Sequence, residues 1–314
     1  MTFDKMTLFL HSTGNRMTKW IIAMGQTIQA MLSITLLLIS TTLCFIPVLF
    51  IGIIKLIPNK KLQTLCTKAV DKIATLWIMV NNGYLNATKT TRWEIEGLEN
   101  LKRKDWYLVI ANHQSWLDIV VLQRAFNRKI PVLKFFIKDQ LKWVPLLGFS
   151  WWAMGCPFMK RYSAAYIEKN PHKKGKDLLA TQKACATFKN LPVSIMNFVE
   201  GSRFTQLKKS RQQSPYNNLL KPKAGGIAYV LNTMEQQINS ILDVTIIYPD
   251  KHRTLWDFLC HRIDKIKVIV RTVPIPAQFL KGNYFEDNKL QQDFKNWLNN
   301  YWQQKDNLIE AHSL

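Results

Sequence analysis

Tyr107-Leu108-Val109-Ile110-Ala111-Asn112-His113-Gln114-Ser115-Trp116-Leu117-Asp118 joins an apolar run to a polar turn and then to a segment that can open a helix. Residues 106–111 read as a buried strand. Ser115 is placed to cap a helix starting at Trp116, and Asp118, three positions later, can close a capping box. The histidine lies five positions before the aspartate. A carboxylate in the first helical turn can face an imidazole just ahead of the helix, fix its tautomer and stabilise the imidazolium formed on proton uptake. The helix N-terminus favours the neutral imidazole, the form a base requires. No serine elbow and no metal-ligand spacing lies nearby. The pattern therefore predicts a base, His113, oriented by Asp118 and acting on a substrate hydroxyl rather than on a nucleophile of the chain itself.

The same alternation recurs along the rest of the chain. Residues 92–97 alternate as a short strand before a turn. Residues 131–137, 193–199, 244–248 and 266–273 are β-like, while residues 62–85, 116–126, 176–189, 224–236 and 285–308 have helical spacing. Strands alternating with helices predict an α/β fold with a mainly parallel sheet flanked by helices. Ligands of such sheets gather at the carboxyl ends of the strands. Both His113 and the turn at 200–203 fall at such ends. In the last helix Leu290, Phe294, Trp297, Leu298, Tyr301, Trp302 and Leu308 recur on one face, for packing on the core or for touching a membrane interface.

The chain of 314 residues has 43 Lys and Arg against 21 Asp and Glu, a net charge of +22, and 47% hydrophobic residues. That hydrophobic fraction argues against a disordered chain. Such charge seeks phosphate, in nucleic acid or at an anionic membrane, and composition alone does not choose. Cys44, Cys66, Cys156, Cys185 and Cys260 form no C-x-x-C pair, so a zinc site or disulfide framework is not expected, and no metal is assigned. Between Trp20 and Ile54 there is no Asp, Glu, Lys, Arg or His. A spanning helix needs about 20 apolar residues, and this run is longer. It fits a single tilted span or a hairpin dipping into one leaflet, with Pro47 expected to kink or interrupt it. A cleaved signal peptide fits poorly, because the run starts late and is too long. Lysines after the run lean towards a cytoplasmic placement of the downstream part. The expected organisation is an N-terminal membrane helix or helical hairpin over 1–60, then one catalytic domain over 61–314.

Three further blocks carry candidate binding residues. In Phe198-Val199-Glu200-Gly201-Ser202-Arg203-Phe204 a glycine between a glutamate and an arginine lets the backbone approach a ligand closely. Arg203 can hold a phosphate or carboxylate bidentately; a surface pair of Arg203 with Glu200 is the plainer alternative. Lys160 and Arg161 end the block from Gly155 and are phosphate-binding candidates. Lys221-Pro222-Lys223-Ala224-Gly225-Gly226 leads into a helix whose first amides could receive an anion.

H-x-x-x-x-D, a basic strand end, E-G-S-R and K-A-G-G, in this order, resemble the glycerolipid acyltransferase family of the PlsC type, over roughly residues 106–249. Phe198 to Thr205 and Pro157 to Ser163 also resemble its bacterial inner-membrane YihG-like branch. The resemblance implies His113 as general base and Asp118 as its partner. It places Arg161 at the family's basic position after the second motif. Glu200, Gly201, Ser202 and Arg203 then form the motif that holds an acceptor's glycerol phosphate. The implied partners are a lysophospholipid acceptor, most simply 1-acyl-sn-glycerol-3-phosphate, an acyl-CoA or acyl carrier protein donor, and membrane lipids, with no nucleic acid and no cofactor beyond the co-substrate. The implied location is a bacterial inner membrane, with the catalytic domain facing the cytoplasm. The sequence does not identify the oxyanion donors; backbone amides near the His113 turn are one candidate. The chain departs from the family where a proline is usual in the fourth motif and Thr245 stands nearby. Relatives acting on lysocardiolipin resemble it there, so lysocardiolipin and lysophosphatidylglycerol remain alternative acceptors. A non-catalytic, membrane-tethered binder of anionic lipid or nucleic acid would explain the charge but not the His113–Asp118 pair.

Overall fold

The structure, a computed structural model, describes residues 3–88, 90–159, 185, 188, 191–234, 237–238, 240–249, 253–281, 284 and 286–312. Helix α1 (Phe3–Lys55) and helix α2 (Lys60–Thr88) form an antiparallel pair joined by a short turn. Pro47 was expected to kink or interrupt α1; the helix is not interrupted there, and the turn comes at residues 56–59. The apolar part, Trp20–Lys55, spans 36 residues. At 1.5 Å per residue it is about 54 Å long, well beyond the roughly 30 Å hydrocarbon core of a bilayer. Most of its side chains are uncovered, among them Ile21, Leu32, Leu38, Leu43 and Phe50. It is thus long and apolar enough to cross a membrane. Polar groups on its inner side meet α2: Ser33 with Tyr84 at 2.6 Å, Ser40 with Asn81, and Trp77 donating to Thr41. Small hydroxyl residues at the seam let two helices approach and hydrogen-bond in an apolar setting.

Strands β1 (Arg92–Glu96), β2 (Tyr107–Ala111), β3 (Leu133–Phe135), β6 (Ser194–Phe198), β7 (Ser240–Ile247) and β8 (Lys265–Pro274) form a sheet in the order β1-β8-β7-β2-β6-β3. All pairings are parallel except β7 with β8. Two short strands, β4 (Ile137–Lys138) and β5 (Phe158–Met159), pair beside it. The second face of the sheet explains the apolar runs. Along β2 every residue is buried: Leu108 and Ile110 enter one core, Tyr107, Val109 and Ala111 the other. A parallel strand covered on both sides has no polar positions to spare.

Helix α3 (Leu117–Phe126) fills one core, with Phe258 from the short helix α7 (Leu255–Leu259). Helices α6 (Ala224–Thr233), α8 (Ala277–Lys281) and α9 (Asn288–Ala311) fill the other. The apolar face of α9 packs on the protein: Phe294, Leu298 and Trp302 are buried, and Leu290, Trp297 and Tyr301 lie against them. That decides between the two readings of this helix in favour of the core. Four short helices escaped the sequence reading: α4 (Leu147–Ala153), α5 (Gln206–Gln212), α7 and α8. The α1–α2 pair is not a detached tether. Gly52 sits against the ring of Phe149, Lys55 donates to the Ala153 carbonyl at 2.7 Å, and Lys134 reaches from β3 to Asp71 on α2 and to the Met154 carbonyl. The boundary placed after residue 60 lies at the first residue of α2, just past the turn between two packed helices. Four of the five cysteines are buried and none is disulfide-bonded. The expected helix over 176–189 lies outside the described residues, except for Cys185 and Phe188.

Candidate active site

Strand register brings three chain segments to one edge. Ala111 is level with Phe198 on β6 and Val244 on β7. Two residues further along, His113 and Glu200 stand side by side past the carboxyl ends of their strands. Asn112 fastens the turn from the other side, exchanging two hydrogen bonds with the Ile246 backbone at 2.9 and 2.8 Å. The side-chain amide continues the ladder where the strand itself has ended.

His113 Nδ1 lies 2.8 Å from Asp118 Oδ2. The carboxylate is fully buried and its hydrogen-bonding capacity is used on both oxygens. Oδ2 also accepts from the Gln114 and Ser115 amides at 2.6 and 2.9 Å, and Oδ1 accepts from the Tyr248 hydroxyl at 2.6 Å. The half of the capping box in which Asp118 reaches back to Ser115 is present. The Ser115 hydroxyl, however, accepts from Leu117, one residue earlier than that motif requires. With Asp118 on Nδ1, the proton sits there in the neutral ring and Nε2 carries the lone pair. Nε2 makes no hydrogen bond among the described residues. Phe198 stacks on the imidazole at 3.9 Å between centroids, 14° from parallel. Ring plane, tautomer and height are thus all set by neighbours.

Glu200 proves to have a different setting from the one the sequence suggested. It is fully buried and forms no pair with Arg203. One oxygen accepts from the His113 amide at 2.8 Å, the other from the Leu220 amide at 2.9 Å. Both oxygens are engaged within the protein, so Glu200 holds the turn that carries His113 instead of facing an acceptor phosphate. Together with Asp118 it also occupies the amides of residues 113–115, which removes them as oxyanion donors. Burial raises the Glu200 pKa from 4.5 to about 7, against the pull of the two amides. The folded protein then holds this proton more tightly than the unfolded chain. Its stabilising contribution is complete below about pH 4.5 and is lost as pH rises through about 7. Glu200→Gln is expected to be less stable at all pH values, because one amide loses its acceptor. Its denaturation midpoint should also fall less steeply across this window than that of the wild type. Parallel curves would contradict the assignment.

Gly201 has φ +70, a backbone conformation that favours glycine, and Lys223 Nζ lies 3.0 Å from where a Cβ would stand. Ser202 is half-buried. The Arg203 guanidinium lies 4.8 Å over the exposed Trp116 ring and faces the same sheet edge as His113, whose carbonyl accepts from Phe204 at 2.7 Å. Lys160 and Arg161 lie outside the described residues. No cluster of metal-ligating residues occurs among the described residues. Tyr248 and Phe198 were missed as site residues. The available signal was positional: each closes an apolar strand next to β2, at the edge where His113 emerges.

A partly buried, carboxylate-held imidazole at the strand ends of a largely parallel sheet, beside the loop that carries Arg203, is an arrangement in an α/β fold that can accept a proton. Comparison with known proteins makes this specific. Residues 92–249 match the family described as Acyltransferase, and the chain belongs to the acyltransferase family of the PlsC type. It is 25% identical over 230 residues to mouse 1-acyl-sn-glycerol-3-phosphate acyltransferase epsilon, covering 66% of this chain and 58% of that protein. It is 22% identical over 241 residues to a 2-acyl-1-lysophosphatidylinositol acyltransferase of Saccharomyces cerevisiae, covering 65% of this chain and 61% of that one. The chain thus spans about three fifths of the length of these curated relatives. The crystal structure of the 1-acyl-sn-glycerophosphate acyltransferase PlsC from Thermotoga maritima shares the fold, with a TM-score of 0.51, 17% identity, and coverage of 91% of this chain and 98% of that one.

Proposed function

We propose that this chain transfers a fatty acyl group from an acyl thioester, on coenzyme A or acyl carrier protein, to the free hydroxyl of a lysophospholipid. The observation that carries the reading is the 2.8 Å contact of His113 Nδ1 with the buried Asp118 carboxylate. Nε2 takes the proton from the acceptor hydroxyl as its oxygen attacks the thioester carbonyl. The imidazolium then protonates the departing thiol, with no covalent enzyme intermediate. Asp118 stabilises the transient imidazolium without itself taking the proton. General-base assistance of this kind supplies about 10²–10⁴-fold, and positioning must supply much of the rest.

The acceptor is assigned as 1-acyl-sn-glycerol-3-phosphate, giving phosphatidic acid, with Arg203 as a clamp on its phosphate and with Lys160 and Arg161 in the same role. A second reading, a lysophospholipid with a larger head group, is favoured by Thr245 in the fourth motif and by the lysophosphatidylinositol name of one relative. We assign α1 as the anchor, within a unit over 1–60, and residues 61–314 as the catalytic part, on the cytoplasmic face of a bacterial inner membrane. Basic residues near anionic lipid would add about 1 kcal/mol each to that association.

Purified protein supplied with labelled acyl-CoA and a panel of lysophospholipids tests the acceptor. Turnover of lysophosphatidic acid supports the first reading; its neglect in favour of another lysolipid supports the second. Arg203→Ala is expected to raise the acceptor KM about tenfold or more, as for loss of a charge-assisted phosphate contact, and to change the donor KM little. A defect confined to the donor would contradict the clamp.

A further inference from the structure

On the far side of the Glu200–Leu220 contact lies a cavity of about 370 Å³, a size suited to a small-molecule group. Its walls come from residues 215–225 and from α9. Lys221, Lys223 and Lys295 line it, with Tyr216, Tyr284 and Pro222, and no carboxylate lines it among the described residues. None of these three lysines pairs with an acid among the described residues. Cations that share a concave wall without a counter-charge raise the local potential and draw in an anion. Lys223 also reaches the active-site loop, where its ammonium passes beside Gly201. The cavity is therefore contiguous with the loop that carries Arg203.

We propose that this cavity receives the phosphorylated nucleotide end of an acyl donor, the adenosine 3′,5′-bisphosphate portion of coenzyme A. The inference rests on the acyltransferase reading and refines it by choosing the donor. Three lysines match a group bearing several phosphates, and the aromatic and proline walls offer apolar surface to a base. The placement favours the donor over the acceptor. Helix α1 packs on α2, α4 and α7, whereas the cavity is built from α9 and the segment before α6. A nucleotide arriving from water would enter there, with its flexible pantetheine arm directed past Lys223 towards His113.

The test titrates the full chain in detergent with adenosine 3′,5′-bisphosphate and measures steady-state kinetics of Lys295→Glu and of the double variant Lys221→Glu/Lys295→Glu. Both lysines are exposed, so the fold should survive, and Lys295→Glu alone covers the case in which the double variant does not. The bisphosphate is expected to bind and to compete with acyl-CoA. Charge reversal should weaken its binding and raise the donor KM about tenfold, with kcat and the acceptor KM within about twofold. Equal binding by the variants, a rise confined to the acceptor KM, or use of acyl carrier protein without any bisphosphate binding would overturn the proposal. If the wild type acylates no lysophospholipid, the functional reading fails. The bisphosphate titration then decides the site alone, a variant-sensitive affinity supporting it and an insensitive one rejecting it.

Discussion

His113→Ala is expected to lower kcat for acyl transfer about 10²–10⁴-fold, with both substrate KM values little changed and the melting curve close to that of the wild type. The kinetic loss follows from the ring's position. Its Nδ1 is held by Asp118 and its face by Phe198, so Nε2 is the only ring atom left for a substrate. The stability effect is small because the interactions that fix the turn are made by the His113 backbone, through Glu200 and Phe204, and survive the substitution. Asp118 keeps its two amide donors and the Tyr248 hydroxyl. Collapse of the fold in His113→Ala, measured by circular dichroism, would show that the ring serves structure rather than chemistry.

The second large effect concerns stability. Asp243→Ala is expected to cost about 3–5 kcal/mol, the usual penalty for removing one partner of a buried pair. Lys305 on α9 is fully buried, and its ammonium lies 2.6 Å from Asp243, which also meets Arg271 of β8 at 2.6 Å. Burial pushes the Lys305 pKa down, and the adjacent carboxylate opposes that shift. Without Asp243 the ammonium keeps only neutral oxygens, the Val244 carbonyl and the Thr245 hydroxyl. Adding Lys305→Met should restore most of the loss, since an apolar side chain of similar length no longer needs a counter-charge. Denaturant melts in detergent provide the measurement. A cost below about 1 kcal/mol for Asp243→Ala would contradict the role assigned to the pair. The same network bears on the site. Trp302 of α9 donates to the Leu220 carbonyl, while the Leu220 amide donates to Glu200, so loosening α9 should also loosen the turn of His113.

What could be read in the sequence was what is local. The strand, turn and helix from Tyr107 to Phe126 announce themselves by an apolar run, polar punctuation and helical spacing. The face of α9 was legible too, although only packing could say what covers it. Residues whose role depends on distant partners were not legible. Glu200 stands in a motif that suggests a ligand, yet its partners are backbone amides 87 and 20 positions away. Nothing local distinguishes a carboxylate that binds a substrate from one that holds a loop. Asp243, Arg271 and Lys305 each look like an isolated charge on an amphipathic or apolar element and meet only when β7, β8 and α9 assemble. That Pro47 does not interrupt α1 also depends on distant partners. Its cost to a helix is about 3 kcal/mol, and contacts of α1 with α2 and α4 on either side of it hold the helix in register. The short helix α4 carries aromatic residues and glycine without a clear period, so its packing on α1 had no sequence signature.

The most direct test of the central claim is acyl transfer by His113→Ala with and without added imidazole. The rate is expected to fall at least a hundredfold, on the order expected for a lost general base, and to recover in part as the concentration of neutral imidazole rises. Wild-type turnover by His113→Ala in the absence of imidazole would contradict it.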